Sequence, residues 1–152
     1  NLKKEPAMKR LLKGLLAMFA GLLLFLVPTV MSASNAPKNK IAGHWMLIYE
    51  GKTYYKLIEP DGRFLNLAPD EATGIYYVSR QGTYTLEGEN HYVETITHEW
   101  GEAIAPDKTD ITYTVKRKKL ILDFEKYGQS MYEEWEKTSI VPEYKSTSNP
   151  SG

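Results

Sequence analysis

The chain has 152 residues, with 19 basic and 19 acidic side chains and no cysteine. The missing thiols exclude disulfides, a lipid-modified N-terminus, cysteine zinc sites and thiol catalysis. Residues 1–36 hold five of the bases and one of the acids, leaving 14 bases against 18 acids and a net charge of −4. That balance argues against nucleic acid as a partner.

Lys9, Arg10 and Lys13 precede an uninterrupted apolar run over residues 15–27. Pro28 breaks the run, and Ser32, Ala33, Ser34, Asn35 and Ala36 follow. That order predicts a secretory signal peptide over residues 1–36. Residues 14–33 would just reach across a bilayer as an uncleaved anchor, but Pro28 and the small residues after it favour cleavage. Ser34-Asn35-Ala36 fits the small-x-small rule, and a cut after Ser32 is the second choice. Met8 reads as the start of translation, with Asn1–Ala7 lying ahead of it. The product is expected to be periplasmic or secreted, with no membrane anchor.

After a polar leader at residues 37–40, the pattern turns to period two. Ile41, Gly43, Trp45, Leu47 and Tyr49 share one face of a first strand. A second strand covers residues 52–59, and Pro60-Asp61-Gly62 turns the chain into a third over residues 63–67. Residues 68–73 read as a turn, Ile75-Tyr76-Tyr77-Val78 as a short apolar piece and residues 81–86 as a further strand. Glu87-Gly88-Glu89-Asn90 turns into a long strand over residues 91–100, and residues 101–108, with Pro106, read as a loop. Strands over residues 109–116, around Leu120-Leu122-Phe124 and over residues 130–137 complete the set, and the tail from Ser139 is expected to be flexible. About eight short strands joined by hairpins predict an all-β sandwich or an up-and-down barrel. The barrel is the simpler closure and leaves no exposed edges.

Gly43-His44-Trp45 carries the Gly-x-Trp pattern that opens lipocalins. The landmarks that follow are Asp61-Gly62-Arg63-Phe64, Gly82-Thr83-Tyr84, Tyr92-Val93-Glu94-Thr95-Ile96, Leu120-Ile121-Leu122-Asp123-Phe124 and Glu133-Glu134-Trp135-Glu136-Lys137. Over residues 41–138 the chain resembles an exported, lipocalin-like bacterial family, domain of unknown function family 4488. The resemblance implies a small lipocalin-like barrel and no established activity. One departure is Lys116-Arg117-Lys118-Lys119, where that family places a Gly/Asn/Asp turn.

Alternation predicts a lumen. With Trp45, Tyr84, Ile96, Leu122 and Trp135 inward, Glu94, His98 and Glu133 fall on the same rows. On the second strand the Lys56 face is taken as inward. The candidate ligand-binding residues are therefore Lys56, Tyr84, Tyr92, Glu94, His98, Tyr113, Glu133 and Trp135, with Tyr76 and Tyr77 as a lid. Two readings stand side by side: a pocket for a small, partly apolar molecule, or a filled barrel in which buried charges pair and the loops contact another protein. Catalysis by paired carboxylates is the remote alternative. His44, His91 and His98 form no metal set, and no phosphate or dinucleotide motif occurs, so no metal, cofactor or catalytic residue is expected.

Overall fold

A computed structural model of the chain describes residues 36–146. The predicted signal peptide, apart from Ala36, lies outside the described residues, as does the end of the tail. Eight antiparallel strands follow one another in a meander: β1 (Gly43–Tyr49), β2 (Lys52–Ile58), β3 (Arg63–Pro69), β4 (Tyr76–Leu86), β5 (His91–Glu99), β6 (Glu102–Lys116), β7 (Lys119–Lys126) and β8 (Gln129–Lys137). Each pairs with the next, and β8 returns to β1 through Trp45↔Lys137 and Met46↔Glu136, so the sheet closes into a barrel. The turns suit the right-handed twist of the hairpins. Glu50-Gly51, Trp100-Gly101 and Tyr127-Gly128 each place both residues at positive φ, as tight two-residue hairpins require. At the departure noted in the sequence the turn narrows to Arg117-Lys118, with Arg117 at a φ of 59°.

The inner rows fill the barrel from one end. Trp45, Ile58, Phe64, Tyr84, Tyr92, Tyr113, Leu120, Leu122 and Trp135 pack into one buried cluster, with Ile41 beneath them. Trp45 is 1% exposed, and its indole N–H donates to the Ile41 carbonyl at 2.9 Å. This fully buried aromatic stops the base of the barrel.

Three expectations change. Residues 101–108 are not a loop, because β6 begins at Glu102; its pairing with β5 jumps between Ile96↔Asp107 and His98↔Ala103, and Pro106 falls inside that irregularity. The apolar piece at Ile75 and the strand after it are continuous as β4. Irregularities at Ser79 and Thr97 absorb the extra residues, and each hydroxyl donates to a carbonyl across the ladder, Asn66 at 3.1 Å and Gln81 at 3.4 Å. Finally, the tail is ordered as far as a ninth strand, β9 (Tyr144–Lys145), which pairs in parallel with Tyr76 and Tyr77. Val141 on that tail packs on Leu57, Leu67 and Val78 outside the barrel, so β2 and β3 bury both faces.

Truncating the basal plug removes a large aromatic from a site that cannot collapse. Trp45→Ala is expected to cost about 3–5 kcal/mol of stability in urea unfolding of the signal-free protein. A loss under about 1 kcal/mol would make Trp45 peripheral.

Candidate functional site

The two ends of the barrel differ. At the base, the turns carry Glu59-Pro60-Asp61-Gly62, Glu87-Gly88-Glu89-Asn90 and Arg117-Lys118. At the opposite end, the connections after β1, β3, β5 and β7 present Tyr49, Ile75, Trp100 and Tyr127, all substantially exposed. Between these ends the inner rows change from apolar to charged and then to a mouth.

The charged belt centres on Lys56 and Glu94, whose side chains are 3% and 8% exposed and form an ion pair. The pair is held on every side. The Tyr92 hydroxyl donates to Glu94 Oε1 at 3.1 Å, and Lys56 Nζ lies 4.9 Å from the centre of the Phe64 ring and 6.0 Å from that of Trp135. Nearby, Trp135 donates its indole N–H to Glu133 Oε2 at 2.8 Å. Lys126 donates to Asp107 at 2.6 Å and to Thr109 at 2.7 Å. The space among these groups is a chamber of about 40 Å³, which Asn66, Glu94, Glu133 and Lys126 help to line. Asn66 Oδ1 is buried there with no protein donor. A cavity of this size admits a few waters rather than an organic ligand.

Above the belt, β2, β3, β4 and the β5–β6 tip line a pocket of about 330 Å³. Tyr54, Ala68, Tyr77 and Trp100 supply apolar and aromatic walls, while Lys52, Asp70 and Glu71 supply the polar rim. Lys52 and Glu71 pair across it, tying β2 to the β3–β4 connection. Asp70 holds that connection in shape by accepting from the Ala72 and Thr73 amides at 2.9 and 2.8 Å. These bonds, with the Thr73 hydroxyl, keep its carboxyl below the ordinary range.

The sequence-predicted site residues fall into separate groups. Lys56, Glu94 and Glu133 meet in the charged belt. Tyr84, Tyr113 and Trp135 belong to the packed base. There the Tyr84 and Tyr113 hydroxyls donate to the Glu59 and Glu89 carbonyls, at 2.5 and 2.9 Å. Tyr92 joins base to belt. His98 leaves the inner row: the irregularity at Thr97 sets it opposite Gln81, which pairs with the outward Leu65. Tyr76 and Tyr77 do not form a lid, because both lie in β4 and alternation sends them to opposite faces. Tyr77 walls the mouth, while Tyr76 packs edge-on against Tyr55 outside, at 5.4 Å between ring centres. Of the mouth's lining, Tyr77 had been expected as a lid residue and Tyr54 as inward-facing, whereas Trp100 at a hairpin tip was missed. Elsewhere, Glu87, His91 and Asp110 cluster on the outer surface. His91 faces Glu87 through Nδ1 at 3.7 Å and Asp110 through Nε2 at 3.5 Å.

These features define the chain as a closed, eight-stranded antiparallel barrel with a packed base, a charged belt and an open mouth. Residues 32–145 match the family model described as Domain of unknown function (DUF4488), and the chain belongs to that family. No curated protein matches it.

Two outcomes follow from the belt. Removing the carboxylate strands a buried ammonium group, so Glu94→Gln should lower stability by about 3–5 kcal/mol. Replacing both partners, Lys56→Met with Glu94→Leu, should recover most of that loss in the same denaturation assay. A single variant as stable as the parent would place the pair in solvent.

Tyr92 adds a pH dependence. Burial first, and then the neighbouring Glu94 carboxylate, hold its phenol well above the ordinary 10.0. The folded state therefore keeps this proton more tightly than the unfolded chain. Its contribution is full below about pH 10 and is lost as pH climbs towards the raised folded value. Unfolding free energy should fall above pH 10, with Tyr92 accounting for about 1.4 kcal/mol per pH unit. Tyr92→Phe should flatten that fall, whereas an unchanged slope would contradict the assignment.

Proposed function

We propose that this chain is an exported, non-catalytic binding protein that holds a small, partly apolar molecule at the open end of a lipocalin-like barrel. The observation that carries this reading is the mouth pocket. Its volume of about 330 Å³ lies at the small end of the range for organic ligands. Three aromatic side chains offer flat apolar surface, and Lys52, Asp70 and Glu71 offer the few polar groups that orient a ligand. The site sits higher than the lumen suggested by alternation, because the base is packed and the belt is closed by its own ion pairs. A molecule seated at the mouth touches Tyr54, Tyr77 and Trp100, and meets the charged belt only through its inner end.

The non-catalytic reading rests on the belt. Glu94 and Glu133 are occupied by Lys56, Tyr92 and Trp135 and do not flank an open cleft. Export is supported by the basic and apolar N-terminal pattern, and the family match begins at residue 32, after the apolar run. The filled base favours a second reading, a protein-interaction module whose loops and edges make the contacts.

Native mass spectrometry of the protein purified from its own host tests the leading reading. A small molecule should co-purify and be lost in Trp100→Ala and Tyr77→Ala variants that remain folded. A ligand retained by both variants, or no ligand in host-derived protein at any growth stage, would overturn it.

A further inference from the structure

The closure of the barrel is uneven. β7 and β8 pair along eight residues, Lys119↔Glu136 through Lys126↔Gln129, and β1 and β2 pair along seven. β1 and β8 pair only at Trp45↔Lys137 and Met46↔Glu136, supplemented by the Thr138 amide donating to the His44 carbonyl at 3.0 Å. Beyond Met46 the two strands part. Among the described residues no strand pairs with the outer edge of β8 from Gln129 to Trp135, or with that edge of β1 from Leu47 to Tyr49.

The side chains record the same opening. Met131 lies on the inner row of β8, two residues before Glu133, yet it is 39% exposed. Ile48 and Tyr132 are 66% and 61% exposed on either side of the gap. A groove of about 310 Å³ runs there, with Leu47 and Trp135 on its floor and Met46, Ile48, Glu134 and Glu136 on its walls. Among the described residues Lys119 is the one cation that lines it, and it pairs with Glu134 at 3.3 Å. The Tyr132 hydroxyl also donates to Glu134, at 2.6 Å. With Lys119, it holds that carboxyl below its ordinary value.

We propose that this seam is a strand-addition site for an extended segment of another protein in which apolar and basic residues alternate. The unpaired backbone groups of β8 favour an extended partner, since a strand can satisfy a row of amides and carbonyls at once. Alternation sets its chemistry. Inward side chains of the added strand meet Leu47 and Trp135, and outward ones meet Glu134 and Glu136. A second copy adding through its own β8 would bring Glu133, Glu134 and Glu136 against the same acids, and like charges across a ladder are unfavourable.

A short synthetic peptide alternating lysine and valine, titrated into the isotope-labelled, signal-free protein, tests this. Amide resonances of Met131, Tyr132, Glu133, Glu134, Leu47 and Ile48 should shift, and the β8 amides should exchange more slowly in the complex. Replacing the valines by proline, or the lysines by glutamate, should abolish binding. The charge-reversed protein, Glu134→Lys with Glu136→Lys, should bind the lysine peptide about tenfold more weakly or worse. Shifts centred elsewhere, equal binding of the proline peptide, or unchanged affinity after charge reversal would overturn the proposal. So would slowed β8 exchange that depends on protein concentration alone, which would assign the edge to a second copy.

Discussion

Two opposite charges, Lys56 and Glu94, sit in the middle of a barrel whose lower half is aromatic and aliphatic. Each would be costly to bury alone, so the surrounding fold has to bring β2 and β5 into a fixed relation across the lumen. The Tyr92 hydroxyl and the faces of Phe64 and Trp135 complete the environment of the pair. Because these groups come from β2, β3, β5 and β8, the belt joins opposite walls of the barrel as well as neighbours in the sheet. It also divides the interior. Below it lies packed core, and above it the walls separate into a mouth.

That division changes where function is sought. A barrel of eight strands is just wide enough for side chains to fill or for one small ligand, and this one is filled at its base and has a pocket at the opposite end. The base is closed by Trp45 and flanked by charged turns. The open end has aromatic side chains at its hairpin tips and a pocket whose polar groups lie on the rim. The binding proposed at the mouth would need neither the belt to open nor the core to move. The seam between β1 and β8 is a separate feature on the side of the same barrel, and it offers backbone where the mouth offers side chains.

Much of the fold was legible because alternation is a local property. The rows containing Trp45, Tyr84, Ile96, Leu122 and Trp135 point inward as their spacing implies, and Glu94 follows from Ile96 without interruption. His98 fails by the same logic, since one extra residue at Thr97 reverses the parity beyond it. The neighbouring ladder is tight: a Cβ at Gly82 would lie 1.9 Å from the Thr95 carbonyl oxygen, a constraint between two strands that neither reveals alone. β2 was ambiguous because Leu57 is as buried as Lys56, and the cover on its outer face comes from Val141, more than eighty residues away. Pro106 suggested a loop, yet the irregular pairing of β5 with β6 accommodates it. At the mouth, Tyr77 was legible as a lid residue, but its meeting with Tyr54, Ala68 and Trp100 depends on the register of β2, β3, β4 and β5 side by side, which no single strand reveals.

The three tryptophans offer a direct test of the claim that the ligand sits at the mouth rather than in the lumen. Trp45 and Trp135 are 1% and 5% exposed, and Trp100 is 48% exposed. In protein labelled with fluorotryptophan, fluorine resonance can follow each indole during titration with a small-molecule extract of the host. The Trp100 signal should move and saturate while those of Trp45 and Trp135 stay in place. Movement of Trp135 with Trp100 unchanged would put the ligand inside the charged belt and contradict it.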